Sequence, residues 1–203
     1  MKLIRISFLF LLLAGCGSLI GPSEPPAQIY LLEPRFDPPD AAPVPARWQL
    51  AVARPDMPHA LDTDRIVLVH GDSMDYYANA QWQDTTGRLL QALLVEAFEK
   101  SGTVSGVGRD TGDIRADYSL ETDVRAFDAV YRDQSSPPEA EVTISARLVA
   151  ADRSVVATIT ASHRTAAREN TVPSVVSAFD DATKACLDEI VGWAARAPHP
   201  GGS

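Results

Sequence analysis

Three segments in the second half of the chain decide the fold: they read DYSLETDVRA at 117–126, EVTISARL at 141–148 and SVVATITAS at 154–162. In the first two, apolar and polar side chains alternate with a period of two, the pattern of a strand with one buried and one solvated face. Tyr118, Leu120, Val124 and Ala126 are expected to share the buried face of the first strand. A tight turn at 151–153 joins the last two segments, so the pattern predicts an antiparallel meander.

Two amphipathic helices flank this meander along the chain. The first is capped by Asp84 or Thr85 and ends at Ser101-Gly102, and its apolar positions recur at helical spacing. They are Leu89, Leu90, Leu93, Leu94, Ala97 and Phe98. The second helix begins near 171–173 and carries one apolar stripe. It consists of Val172, Val175, Val176, Phe179, Ala182, Cys186, Ile190 and Trp193. These helices are expected to cover one face of a mixed, mainly antiparallel sheet, giving a single α/β two-layer domain.

Shorter segments supply the rest of the sheet. Strands are predicted at 29–32, 49–53, 65–69, 74–82 and 104–107. Ten of the fifteen prolines lie between Pro22 and Pro58, which disfavours helix in that region. Residues 17–28 therefore read as a spacer, and 34–45 as a second Pro-rich stretch.

The N-terminus has the composition of an export signal. Lys2 and Arg5 precede an apolar run over 6–14 that is about half the roughly 20 residues a spanning helix needs. The run ends in Leu13-Ala14-Gly15-Cys16, which resembles the lipobox of bacterial lipoproteins. The resemblance implies a covalent lipid on Cys16, cleavage before it and acylation, for example with palmitate, of the new amino group. The alternative is an ordinary secretory peptide with a chance cysteine.

These boundaries divide the chain into four parts. The signal peptide is 1–15, the lipidated tether is 16–28, the domain is 29–196, and 197–203 is a disordered tail. The residue directly after Cys16 is Gly17 and not an aspartate, which resembles the default pattern of enteric lipoproteins that are sorted to the outer membrane.

Composition excludes several classes of protein. The 203-residue chain has a formal net charge of −9, which falls to about −11 without Lys2 and Arg5, so a nucleic-acid binder is excluded. Two distant cysteines provide neither a disulfide framework nor a zinc knuckle. Cys186, on the apolar stripe of the last helix, is expected to be a buried thiol, with an intermolecular disulfide as the alternative.

One motif is similar to a catalytic block. Gly71-Asp72-Ser73-Met74 resembles the Gly-Asp-Ser-Leu motif of an esterase family, but the Asp-x-x-His that this family places near its C-terminus is missing. The only such pair, Asp56 and His59, lies upstream, so a turn is the expected structure. No metal site is predicted, because His59, His70, His163 and His199 form no ligand motif, and Asp62-Thr63-Asp64 lacks the rest of a calcium loop.

An aromatic group stands in the predicted strand 74–82. Alternation places Tyr76 and Trp82 on one face and Tyr77 on the other, so not all three belong to the core. Tyrosine and tryptophan favour interfaces because they combine a large area with a polar tip. The group is therefore either a partner surface or core with ordinary exposure.

The order of features along the chain is similar to one family. Tyr30-Leu31-Leu32 follows the lipobox and tether, Asp64-Arg65-Ile66 comes next, and the segment from Tyr76 through Trp82 to Asp84 precedes a Leu-rich helix. This order resembles the ABC-type transport auxiliary lipoproteins, which include proteins of the paraquat-inducible protein C type.

The resemblance implies a non-enzymatic lipoprotein that acts beside an ABC permease, its ATPase and an MCE-domain (mammalian cell entry) protein, moving lipids between the inner and outer membranes. Tyr30, Tyr77 and Trp82 match the family pattern and are the predicted partner-binding residues. No cofactor is expected besides the lipid on Cys16, and the location is the periplasmic face of the outer membrane, with the inner membrane and a homo-oligomer left open. The alternatives are a periplasmic lipid carrier with its own apolar cavity, and an esterase that uses Ser73.

Overall fold

A computed structural model describes residues 26–37, 46–111, 115–133 and 135–197, and Cys16 with the predicted signal segment lies outside these residues. The strands are β1 Gln28–Tyr30, β2 Ala46–Val52, β3 Arg65–His70, β4 Ser73–Trp82, β5 Val104–Arg109, β6 Tyr118–Tyr131, β7 Glu139–Ala150 and β8 Val155–Ala166. The helices are α1 Thr86–Ser101 and α2 Val172–Arg196. The predicted α/β domain, a mixed sheet packed with two helices, is confirmed. In the described part of the chain, no helix is both long and apolar enough to cross a membrane.

The long strand β6 organises the sheet. One of its edges pairs along its whole length with β7, and β7 pairs with β8, which confirms the antiparallel meander. Its other edge is shared, because β2 pairs with residues 118–120 and β3 with residues 129–131, both in parallel. Strand β5 extends the first branch, and β4 followed by β1 extends the second.

The helices cover one face of this sheet. The largest side chains below 2 % exposure lie between the sheet and the helices; among them are Trp82, Phe98, Phe127 and Phe179. A bulge between Val124 and Ala126 reverses the alternation within β6. Phe127 and Ala129 therefore enter the core, and the prediction that Ala126 shares the face of Tyr118 is wrong.

The first turn of α1 is capped from a distant loop. Thr85 occupies the N-cap position, but its side chain makes no capping hydrogen bond. The Gly87 N–H instead donates to Oδ1 of Asp62 at 3.3 Å, and Arg54 holds the same carboxylate at 2.8 Å. A Cβ at position 87 would lie 2.9 Å from Asp62 Oδ1, so glycine permits this approach. The side chain of Asp62, the first residue of the Asp62-Thr63-Asp64 stretch, thus stabilises the start of α1.

Residues 31–37, here called the strap, lie against both helices. Leu32, Pro34 and Phe36 are buried, and the residues between them are exposed. The Leu32 N–H donates to Gln83 Oε1 at 3.1 Å, and the Glu33 N–H donates to Asp180 Oδ1 at 2.8 Å. The start of the predicted Pro-rich stretch is therefore part of the packed body. Proline fits this extended segment because it has no backbone N–H, so burying Pro34 leaves no donor without a partner. At the other end Ala197, predicted to begin the tail, is buried.

Candidate functional site

The three aromatic residues predicted to bind a partner all face the helices. Tyr30 is paired with Trp82 in the register of β1 and β4. In the pairing of β3 with β4, Arg65 is opposite Gln81 and Val67 is opposite Tyr76, so two steps along β3 match five along β4. Asn79, with φ of 54°, lies in this bulge. Arg65 and Val67 lie on the same face of β3, so their partners Gln81 and Tyr76 lie on the same face of β4 although five residue steps separate them. Tyr77 and Trp82 therefore share the opposite face. The prediction that Tyr76 lies on that face is wrong.

Trp82 is a core residue. It is 1 % exposed, and its ring packs edge-on against Phe179 at 5.3 Å and lies 6.1 Å from Phe127. Its backbone N–H donates to the Asp64 carbonyl at 2.6 Å. Trp82 therefore packs inside the core at the position where β4 pairs with β1, and it presents no surface to a partner. Tyr30, in contrast, is half-buried at the edge of the sheet, with part of its side chain accessible.

Tyr77 belongs to a group of side chains in contact that we call the tyrosine cluster: His70, Tyr77, Tyr131 and Asn170. The Tyr131 hydroxyl donates to Asn170 Oδ1 at 2.8 Å, which leaves the Tyr77 hydroxyl to donate to Tyr131, also at 2.8 Å. The His70 ring stacks on Tyr131 at 4.2 Å. The cluster joins β3, β4 and β6 to the residue before the N-cap of α2.

Proton transfer through Tyr77 is disfavoured by its surroundings. Burial, and then the hydrogen bond to Tyr131, raise the pKa of Tyr77 well above its ordinary value of 10.0. The hydroxyl therefore keeps its proton across the physiological range and acts as a donor. Sequence reasoning missed Tyr131, His70 and Asn170. The spacing of Phe127, Ala129 and Tyr131 would have revealed the first of them had the β6 bulge been recognised.

Ser73 has no catalytic partners among the described residues. It follows the predicted turn at Gly71 and Asp72 and pairs with His70 across the hairpin, yet no hydrogen bond joins its hydroxyl to a described side chain. The His70 ring is stacked on Tyr131, and His163 is bonded to Glu189 at 2.7 Å. His163 lies four strand positions away on β8, about 19 Å at ordinary strand spacing. His199 lies outside the described residues.

The described residues contain no group of three or more His, Cys, Asp or Glu that could hold a metal ion. Cys186 is buried, as the sequence predicts, and its thiol donates to the Ala161 carbonyl at 3.6 Å. Burial raises the pKa of Cys186 to about 12, so the thiol stays protonated and unreactive.

The face of the meander away from the helices is polar. Ion pairs join Arg147 to Glu121 at 3.1 Å and Arg132 to Glu139 at 2.7 Å, while Arg164 donates to both oxygens of Glu141 at 2.8 Å. Such a face is solvated in the described structure and confirms the predicted wet side of the meander.

Asp128 is the exception on this face, because it is only 9 % exposed and lies directly opposite Glu141. Burial, and then the charge of Glu141, raise the pKa of Asp128 from 3.8 to about 6. The folded state thus binds this proton more tightly than the unfolded state. The resulting stabilisation is complete below the unfolded pKa and is lost as the pH rises through about 6.

Replacing Asp128 by asparagine removes this pH-dependent cost. The variant is expected to raise the free energy of unfolding by at most about 3 kcal/mol above pH 7 and to change it little near pH 4. Urea denaturation at both pH values measures the difference. Asp123→Asn, on an exposed side chain of the same strand, is the matched control. An equal effect of Asp128→Asn at both pH values would contradict the assigned cause.

Two grooves flank the strap. The larger, about 630 Å³, lies between the strap and α1 and combines Leu32, Leu89 and Leu93 with the polar ends of Glu96 and Lys100. The smaller, about 410 Å³, lies against α2 and is lined mainly by charged side chains, including Asp180, Asp181 and Lys184. Both are open and mixed in polarity, so neither has the largely apolar lining expected of an acyl-chain site.

The profile of the ABC-type transport auxiliary lipoprotein component family matches residues 30–191. The chain belongs to this family. The match begins at Tyr30 on β1 and ends within α2, so it includes the strap, α1, the whole meander and most of α2. Membership confirms the predicted resemblance and places the chain among lipoproteins that accompany ABC-type transport systems.

Solved structures share the fold of this auxiliary lipoprotein. A protein from Xanthomonas campestris is 33 % identical, with a TM-score of 0.77 over 83 % of this chain and 95 % of its own. A protein from Chlamydia trachomatis is 8 % identical, with a TM-score of 0.50 over 74 % of this chain and 96 % of its own, which shows similarity of fold alone.

A curated relative, an uncharacterised protein of Bradyrhizobium diazoefficiens, is 27 % identical over 184 residues. That alignment covers 90 % of this chain and 49 % of the relative, so the chain spans about half the length of the curated protein it matches.

Proposed function

We propose that the chain is a lipid-anchored periplasmic component of an ABC transport system of the MCE type, which moves lipids between the inner and outer membranes. Its partners are an MCE-domain protein, the ABC permease and its ATPase. A covalent lipid on Cys16 holds it at the periplasmic face of the outer membrane. The observation that carries the proposal is the family match over 30–191, together with the lipobox at 13–16.

The domain acts by docking and not by catalysis. This part of the proposal is supported by the lack of a hydrogen bond between the Ser73 hydroxyl and any side chain in the described part of the chain, and by the retained proton of Tyr77. The filled core favours an adaptor over a carrier. Trp82, Phe98, Phe127 and Phe179 occupy the space between sheet and helices where an acyl chain would have to lie.

Of the predicted partner-binding residues, Tyr30 keeps the most direct role in the proposal, because it retains accessible surface at the sheet edge. Tyr77 contributes indirectly through its hydrogen bond to Tyr131, and Trp82 contributes by packing in the core at the position where β4 pairs with Tyr30 of β1. Ala78, exposed on β4 beside Tyr77, is the accessible position of this segment.

In-cell crosslinking tests the proposal. A photoreactive amino acid replaces Ala78 on β4 or, as a matched exposed control, Thr158 on β8. Capture of an MCE-domain protein or an ABC permease from position 78, and not from 158, is the expected result. Recovery of no transport component from either position in a strain that makes the whole system would contradict the proposed docking.

A further inference from the structure

Four large hydrophobic side chains of the described residues are strongly exposed, and two of them are neighbours. Ile29 is 59 % exposed and Leu31 is 52 % exposed, whereas Met74 at 47 % and Val155 at 54 % lie on other strands. Isolated exposed apolar residues are normal on a protein surface, but adjacent ones at the start of the folded body call for a physical reason.

Ile29 and Leu31 point away from the helices. Tyr30 and Leu32 pack into the core, so the alternate residues 29 and 31 face the opposite side of the sheet. Ile29 lies on β1, whose backbone pairs with β4 alone among the described strands, and Leu31 directly follows the last residue of that strand. A further strand paired with the edge of β1 would still leave the side chains of Ile29 and Leu31 exposed, because side chains point out of the faces of a sheet. A contact that buries them must therefore cover the face of the sheet that is opposite the helices.

The surface next to these side chains has a cation and an aromatic ring. Ile29 is opposite Gln81, and Gln81 is opposite Arg65, which forms one row across three strands. The Arg65 guanidinium lies 3.7 Å from the ring centre of Tyr76. Aliphatic, tyrosine and arginine side chains together suit the boundary between lipid headgroups and acyl chains, where polar ends remain in water. We call Ile29, Leu31, Arg65, Tyr76 and Gln81 the outer patch.

The place where the chain enters the domain identifies what covers this patch. Twelve residues lie between Cys16 and Ile29, so the Cα atoms of these two residues are at most about 45 Å apart when the segment is extended. Among the described strands, β1 is thus the element nearest in sequence to the predicted lipid anchor. We infer that the outer patch rests on the lipid bilayer that holds Cys16, an inference that depends on the proposed lipid anchor.

The helix surface is unsuited to lie on such a bilayer. The surface of α1 and α2 has more acids than bases; the acids are Glu96, Glu99, Asp180, Asp181, Asp188 and Glu189, and the bases are Arg88, Lys100, Lys184 and Arg196. An anionic bilayer repels such a surface. With the outer patch on the bilayer, the two helices face away from the membrane, toward the periplasm.

Nitroxide labelling of the full-length acylated protein tests this contact. Leu31→Cys carries the label, with Val155→Cys as the control because its exposure matches and it lies on β8. Cys186 is buried and stays unlabelled. In vesicles of phosphatidylethanolamine and phosphatidylglycerol, the position 31 label should show about a tenfold higher ratio of oxygen to nickel-complex accessibility than the position 155 label. At raised salt concentration the position 31 ratio should stay well above the position 155 ratio, since apolar burial persists when charges are screened.

Two results would overturn the inference. Equal accessibility at positions 31 and 155 would show that the patch stays in water. Shielding of position 31 from both reagents, with line broadening between labels, would show that a second copy covers it. Mass analysis of the N-terminal peptide from the same sample separates the two hypotheses: unmodified Cys16 defeats the proposed anchor, whereas acylated Cys16 with a water-exposed label defeats only the bilayer contact. Ile29→Cys repeats the measurement if the first variant folds poorly.

Discussion

Replacing Trp82 by alanine is expected to lower the free energy of unfolding by about 3–5 kcal/mol. The indole is 1 % exposed and contacts Phe127 and Phe179, so its removal leaves a cavity between β4, β6 and α2. A loss of that size is a large fraction of the roughly 5–15 kcal/mol that stabilises a typical folded domain. Urea or thermal denaturation of the purified full-length variant measures it.

Met74→Ala provides the control for this prediction. Met74 lies on the same strand but is 47 % exposed, so its truncation should change stability by less than about 0.5 kcal/mol. If Trp82→Ala instead keeps full stability and loses a partner, the assignment of Trp82 to the core is wrong and the partner-binding prediction stands.

Replacing Cys16 by serine is expected to move the protein almost completely from the membrane fraction to the soluble fraction after export. Each buried methylene of an acyl chain contributes about 0.8 kcal/mol, and two chains already anchor a protein stably. Neither helix of the described structure could substitute by spanning the bilayer. Fractionation followed by immunoblotting measures the shift, and the unfolding midpoint of the variant should equal that of the parent.

Cys186→Ala is the companion variant, because Cys186 is the other cysteine of the chain and is buried. It should remain with the membrane even where its stability falls. Retention of Cys16→Ser protein in the membrane fraction after a high-salt wash would contradict lipid anchoring through position 16.

Regular patterns made much of this fold predictable. The alternation at 141–148 and the Leu-rich spacing of α1 each report the face that a side chain takes, because period and burial are locally coupled. The stop of α1 was predictable too, since Gly102 adopts φ of 62°, a backbone conformation that favours glycine.

The errors arise where an odd number of inserted residues breaks that coupling. The bulge after Val124 exchanges the faces of Ala126 and Phe127, and the bulge at Asn79 brings Tyr77 rather than Tyr76 onto the face of Trp82. Neither bulge produces a recognisable pattern of apolar and polar residues in the sequence. Both shift register only relative to a partner strand, which a single sequence does not identify.

Contacts between distant segments were equally hidden. Asp62 caps α1 from 25 residues upstream, and Tyr131 meets Asn170 across 39 residues. Both depend on the assembled sheet, since no local pattern joins the residues involved.

The strap also limits how the domain can be shortened. A soluble version that starts at β2 would lose Leu32, Pro34 and Phe36, and with them the buried seam between α1 and α2. The linker that can be trimmed therefore ends before β1, and residues 26–37 belong to the minimal folding unit.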